Sequence, residues 1–206
     1  MVVVAADEVC VDSAFDALKN GEIVAVPTDT VYGLAVDLNN VAAILKLFVL
    51  KNRPAERQIA VLVSDVDMAE KLVILSEKAR RLATEFWPGP LTLVAQRRSS
   101  TQKSMNTTID TSTTLGVRLP DHELVRRLAG VGPLAVTSAN LHGQPTPATA
   151  QEIAKVFPSL SMVVDGGRLE GTASTVVDVA GLNPIVLREG PIAAEQILGL
   201  SDDQFI

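Results

Sequence analysis

Short apolar runs alternate with helical periodicities along almost the whole chain, and this pattern predicts an α/β (α+β) fold: a sheet flanked by helices. Composition agrees. Of the 206 residues, 47% are apolar and 20% charged, and the mean hydropathy of +0.27 is that of a folded chain, not a disordered one. A chain of this length buries about 70% of its extended surface, so it needs no disulfide or metal staple. No linker-like stretch and no internal repeat breaks the pattern, so residues 1–206 read as a single domain.

Taken in order, Val11 to Asn20 carries apolar residues at Val11, Ala14, Phe15 and Leu18 and stops at Gly21, which reads as a helix. Ile23 to Val26 is a strand closed by Pro27. Asn40 is placed to cap a helix from Val41 to Leu50, whose apolar positions run nearly all round and predict deep burial. Gln58 to Val63 reads as a buried strand and Ser76 to Trp87 as a Lys/Arg-rich amphipathic helix. Pro88-Gly89-Pro90 stops that helix and starts a strand over Leu91 to Ala95. Residues 99–114 hold ten Ser or Thr in sixteen positions without an apolar period, a long polar loop suited to a lid. Strands then follow at Leu115 to Leu119, Leu134 to Thr137, Met162 to Val164, Thr175 to Val179 and Ile185 to Leu187. Helices are expected at Asp121 to Ala129, near Thr149 to Phe157, and from Pro191 onward.

Several chemistries are excluded early. One cysteine, Cys10, cannot build a disulfide framework or a cysteine zinc site, and it suits a reducing compartment. Two histidines, His122 and His142, are too few for a histidine-rich metal centre. Apolar runs such as Ile59 to Val63 fall well short of the ~18 residues of a membrane span, and Met1 to Asp12 lacks a basic leader region, so a cytoplasmic, membrane-free protein is expected. None of G-x-x-x-x-G-K-[ST], G-x-S-x-G, H-E-x-x-H or C-x-x-C occurs. The one near match to a dinucleotide fingerprint, Gly130 to Ala135, precedes a strand instead of following one.

The net charge of −6 is unevenly spread: residues 1–45 carry −6, residues 46–127 carry +5 and residues 128–206 carry −5. A basic middle third can form a local anion-binding surface, or simply a solvated helix face. Four loops at strand ends collect polar groups. Pro27 to Leu34 offers hydroxyls, a carboxylate and a phenol, and reads either as a ligand loop or as a plain turn. Lys51, Arg53 and Arg57 close a buried helix, where they could clamp a polyphosphate or complement the helix dipole. Thr137 to Thr146 offers hydroxyls, Asn140 and the loop residue His142. Asp165 to Asp178, with Leu187 to Gly190 beyond it, offers glycines and hydroxyls whose backbone N–H groups could approach a phosphate.

Six motifs in this order resemble the YrdC-like family, the threonylcarbamoyl-AMP synthases. They are PTDTVYGL from Pro27, K-x-R-P from Lys51, FWPGPLTLV from Phe86, GVRLP from Gly116, SANLHGQPTP from Ser138 and GTASTVVD from Gly171. The likeness runs from about Ala14 to Pro191, and the chain is similar to the short form that lacks an extra C-terminal domain. The resemblance implies a three-layer fold with a twisted, mixed parallel and antiparallel sheet and a concave, positively charged cavity. It implies condensation of L-threonine, bicarbonate and ATP, with Mg²⁺, to L-threonylcarbamoyladenylate and pyrophosphate, for modification of tRNA adenosine 37 by a downstream threonylcarbamoyl transferase complex. By the same resemblance, Lys51, Arg53, Ser138 and Asn140 form the catalytic set. Arg53, Arg57, Thr114, Ser138, Thr146, Ser174 and Arg188 hold ATP, and Thr30 and Arg118 hold L-threonine, Arg118 pairing with its carboxylate. His142, Gln58 and Arg57 sit at positions where the family pattern varies. No metal ligand is identified. A non-catalytic YrdC-like paralogue that binds RNA or nucleotide is the alternative, and the basic middle third leaves weak direct tRNA contact open.

Overall fold

The computed structural model describes residues 2–6, 8–52, 59–99, 112–141 and 143–202. Arg53, Arg57, Gln58, His142 and most of the Ser/Thr-rich loop lie outside the described residues.

The chain runs β1 (Val2–Ala5), α1 (Glu8–Lys19), β2 (Val24–Val26), β3 (Gly33–Asp37), α2 (Val41–Leu50), β4 (Ala60–Leu62), α3 (Val66–Leu72), β5 (Val73–Ile74) and α4 (Glu77–Phe86). It continues with β6 (Leu91–Arg97), β7 (Thr114–Arg118), α5 (Glu123–Ala129), β8 (Leu134–Ser138), α6 (Ala150–Val156), β9 (Met162–Asp165), β10 (Thr175–Asp178), β11 (Ile185–Arg188) and α7 (Ala194–Asp202). Local chemistry sets several helix starts. Asn40 caps α2 by accepting from the Ala43 N–H, Ser76 caps α4, and Thr149 with Glu152 forms a reciprocal capping box at α6. Asp65 caps α3 by accepting from the Met68 N–H; α3, like β1, β3 and β5, is not expected from the sequence pattern. These are short elements, held by the tertiary pairing more than by their own pattern.

All strands join one mixed sheet in the order β1-β9-β2-β3-β8-β4-β7-β6-β10-β11, with β5 on β6. The β1/β9, β2/β9, β4/β7 and β6/β10 pairs are parallel and the others antiparallel. Strand alternation sends Leu34, Val61, Leu93, Val117 and Val163 into a large core under α2, α4, α6 and α7. The opposite-facing Val26, Leu62, Val136 and Val164 meet Ala14 and Leu18 of α1 and Val125 and Leu128 of α5. The result is three layers.

Among the described residues the second helical layer is incomplete, and this positions the site. No residue of β6, β7 or β10 joins the core beneath α1 and α5. On that side of the sheet Thr92, Val94, Gly116, Arg118 and Val176 line an open hollow. One expectation is corrected here. The α2 helix buries Ala43, Ile44, Leu47 and Phe48, but Leu45 is 45% and Val49 81% exposed, where they line an open hollow facing residues 21–23 and 159–161.

Candidate active site

Strand register builds the floor of the hollow. β6 pairs antiparallel with β7 through Leu93↔Val117 and Val94↔Gly116, so Thr92 comes opposite Arg118. It pairs parallel with β10 through Thr92↔Val176, and β11 sets Arg188 against Val176. Residues from four strands thus form one row, Arg118–Thr92–Val176–Arg188, all lining a cavity of about 210 Å³. Gly116 leaves the floor without a side chain; a Cβ there would stand in ordinary contact with the Thr92 methyl, at 3.4 Å.

Arg118 is only 6% exposed. Its Nε donates to the Gly89 carbonyl at 3.0 Å, Nη1 to Thr30 Oγ1 at 3.0 Å and Nη2 to Asp29 Oδ1 at 2.6 Å. Burial lowers its pKa, and the Asp29 carboxylate opposes that loss; a guanidinium stays charged regardless. A guanidinium has five N–H groups, so two remain beyond these three bonds. Asp29 is therefore a counter-ion inside the site.

The Pro27–Leu34 segment proves to be both a turn and a wall. Thr28 Oγ1 accepts from the Thr30 and Val31 N–H groups and donates to the Val31 carbonyl, while Thr28, Thr30, Tyr32 and Gly33 face the cavity. The Gly-rich loop after β9 lies directly across it. Tyr32 OH donates to the Gly167 carbonyl at 2.7 Å and accepts from the Gly166 N–H at 3.0 Å. A Cβ at Gly166 would stand 2.4 Å from Pro27 Cβ, and one at Gly171 would stand 2.2 Å from the Thr30 carbonyl oxygen. These two glycines serve close backbone approach, and the N–H groups of Gly166 and Gly167 are bonded to Tyr32 and Asp165.

Lys51, at the end of α2, is 3% exposed. Its ammonium donates to Thr137 Oγ1 at 3.1 Å, the Ser138 carbonyl at 2.5 Å and Asn140 Oδ1 at 3.2 Å. Ser138 Oγ donates to the same Asn140 oxygen at 2.5 Å, and Asn140 Nδ2 closes the turn onto the Leu141 and Gln144 carbonyls. Three of the four expected catalytic residues therefore meet; the fourth, Arg53, lies outside the described residues. The Lys51 ammonium sits beneath the Ser138–Asn140 turn and holds it through these bonds.

At the other end, Ser174 Oγ lies 2.8 Å from Thr92 Oγ1, and Arg188 reaches the Ser174 carbonyl through Nε at 3.1 Å and Nη2 at 2.8 Å. Burial lowers the Arg188 pKa, and Arg118 lowers it further; both guanidiniums line the same cavity. Of the expected ligands, Thr30, Arg118, Ser138, Ser174 and Arg188 line the cavity. Thr114 shares the strand face of Gly116 and Arg118 and bonds Ser112 Oγ at 3.1 Å; Thr146 is half-buried in the loop before α6. Neither lines the cavity. Sequence reading missed Asp29 and Thr92. Thr92 carried a signal, being the single hydroxyl among the apolar residues of Leu91 to Ala95.

Two guanidiniums lining the cavity, a buried ammonium behind its rim and several hydroxyls suit the gripping of oxyanions. No group of three or more His, Cys, Asp or Glu stands together among the described residues. No helix of the described residues is long and apolar enough to cross a membrane.

The sequence matches the Sua5/YciO/YrdC family model, described as telomere recombination, over residues 16–190. It is 35% identical over 185 residues to the threonylcarbamoyl-AMP synthase of Pyrococcus abyssi, covering 87% of this chain and 54% of that one. A Mycobacterium tuberculosis relative is 38% identical over 189 residues, covering 90% of this chain and 86% of its own. The crystal structure of Pyrococcus abyssi Sua5 complexed with L-threonine superposes with a TM-score of 0.89 at 31% identity, over 97% of this chain and 61% of that one. The chain thus spans about half the length of the Pyrococcus abyssi synthase.

Proposed function

Because the chain belongs to the Sua5/YciO/YrdC family, we propose that it acts, as one catalytic domain, as a threonylcarbamoyl-AMP synthase in the cytoplasm. It condenses L-threonine, bicarbonate-derived CO₂ and ATP to L-threonylcarbamoyladenylate and pyrophosphate. The observation that carries the reading is the meeting of Thr30 and Arg118 with the Lys51-held Ser138–Asn140 turn and the Ser174–Arg188 pair around one cavity. The threonine complex of the Pyrococcus abyssi relative supports the amino acid as a ligand.

In this reading Thr30 and Arg118 bind threonine. Ser138, Asn140, Ser174 and Arg188, with Thr114, Thr146, Arg53 and Arg57, bind the nucleotide. Threonine's neutral amine adds to CO₂ and gives a carbamate. A carbamate oxygen attacks the α-phosphorus and pyrophosphate leaves in line, so the phosphorus exchanges one P–O bond for another. No covalent enzyme intermediate is needed; the demand is positioning and neutralisation of phosphoryl oxygens. Mg²⁺ is read as part of the MgATP substrate, since the described residues offer no carboxylate cluster to hold it independently. The product passes to a separate transferase complex acting on tRNA adenosine 37, and direct tRNA contact is at most weak and salt-sensitive.

The test is pyrophosphate release. It should require ATP, L-threonine and bicarbonate together, and mass spectrometry should find the adenylate. Binding of nucleotide or RNA without any release would instead identify a non-catalytic paralogue.

A further inference from the structure

We infer that Thr92 is a further binding residue of this site, donating the central hydrogen bond to the carboxylate of the amino-acid substrate between Arg118 and Arg188. The inference rests on the synthase reading for the identity of that substrate.

Three observations carry it. First, register puts Thr92 directly between strands β7 and β10, with Arg118 beside it and Arg188 one strand further along the same row. Two guanidiniums stand at the ends of one row that lines the cavity, an arrangement that favours an anion between them. Asp29 answers Arg118 alone and bonds its far Nη2. Second, Thr92 is buried and lines the cavity, in a strand otherwise apolar there, so its hydroxyl must be hydrogen-bonded. Third, the hydroxyls form a chain in which either Thr92 or Ser174 can be the donor, so a bound anion can set its direction. Arg188 Nη2 donates to Ser174 Oγ at 3.3 Å, and Ser174 Oγ lies 2.8 Å from Thr92 Oγ1. If Ser174 passes its one proton to Thr92, every donor in the chain has an acceptor except Thr92 itself, whose proton then points into the cavity. A carboxylate placed there receives that proton and the remaining N–H groups of Arg118. Chains of this kind polarise one another and strengthen the last bond.

The test uses Thr92→Val, which keeps the branched shape, and Thr92→Ser, which keeps the hydroxyl. Binding of L-threonine and of L-threoninamide is measured separately by titration calorimetry, beside pyrophosphate release. Thr92→Val should weaken L-threonine by about tenfold, the equivalent of about 1.4 kcal/mol. It should leave the already weak threoninamide binding within about twofold, and Thr92→Ser should restore most of the loss. Unchanged threonine affinity in Thr92→Val, or an equal loss for threoninamide, overturns the assignment. Synthase activity that persists alongside such a result would leave the function standing and remove only the role of Thr92. Thr92-dependent threonine binding without pyrophosphate release would do the reverse.

Discussion

Asp29 is the point of most direct leverage on Arg118. Its Oδ1 meets Arg118 Nη2 at 2.6 Å, with the two side chains 13% and 7% exposed, so water and salt do little to replace either partner. Removing one member of such a pair leaves a charge buried without its counter-ion, which costs about 3–5 kcal/mol. Arg188 across the cavity adds like-charge repulsion to that cost. For a chain of this size each kcal/mol moves Tm by about 2–4 °C, so Asp29→Ala should melt roughly 6–20 °C below the native protein. Asp29→Asn, which keeps an acceptor but not the charge, should fall between. Calorimetric melting of the three proteins, with and without saturating L-threonine, checks this. A carboxylate ligand supplies a replacement anion to Arg118, so threonine should recover more of the loss in Asp29→Ala than it adds to the native protein. A Tm drop below about 2 °C for Asp29→Ala would refute the view that this pair is buried and coupled.

Two further outcomes are expected. Lys51→Met removes the ammonium under the Ser138–Asn140 turn, so turnover should fall by about 10²-fold or more while far-UV circular dichroism is unchanged; near-native turnover would place the working charge elsewhere. Tyr32→Phe leaves the Gly166 N–H and Gly167 carbonyl without their partner and should lower unfolding free energy by about 1–3 kcal/mol in urea titrations. Burial raises the Tyr32 pKa above its ordinary 10.0, so the folded state favours the neutral phenol. The stability it supplies is complete below that value and is lost as pH rises through the higher folded pKa, so the native protein should lose stability on the alkaline side more steeply than Tyr32→Phe.

Much of this was legible along the chain. The periods of α2, α4, α5 and α6 and their polar starts at Asn40, Ser76 and Thr149 mark helices locally, because a cap and an apolar stripe need only neighbouring residues. β3 was harder to see. Leu34, Ala35 and Val36 make a run too short to read alone, and they become a strand by pairing with β2 and β8. The exposed side of α2 was also hidden, since periodicity says that Leu45 and Val49 are apolar but not whether anything covers them.

For the site, the family resemblance carried by the motifs pointed to Thr30, Lys51, Arg118, Ser138, Asn140, Ser174 and Arg188, of which Thr30, Arg118, Ser138, Ser174 and Arg188 line the cavity. Which strand lies beside which was decided only in three dimensions. Positions 92, 118, 176 and 188 share no local pattern, and register between strands far apart in sequence brings them into one row. The same holds for Lys51, whose charge is plain in the sequence but whose inward turn depends on acceptors supplied by Thr137, Ser138 and Asn140. A side chain's kind and face are properties of its own segment, whereas its partners belong to other segments and exist only once the sheet has closed its register.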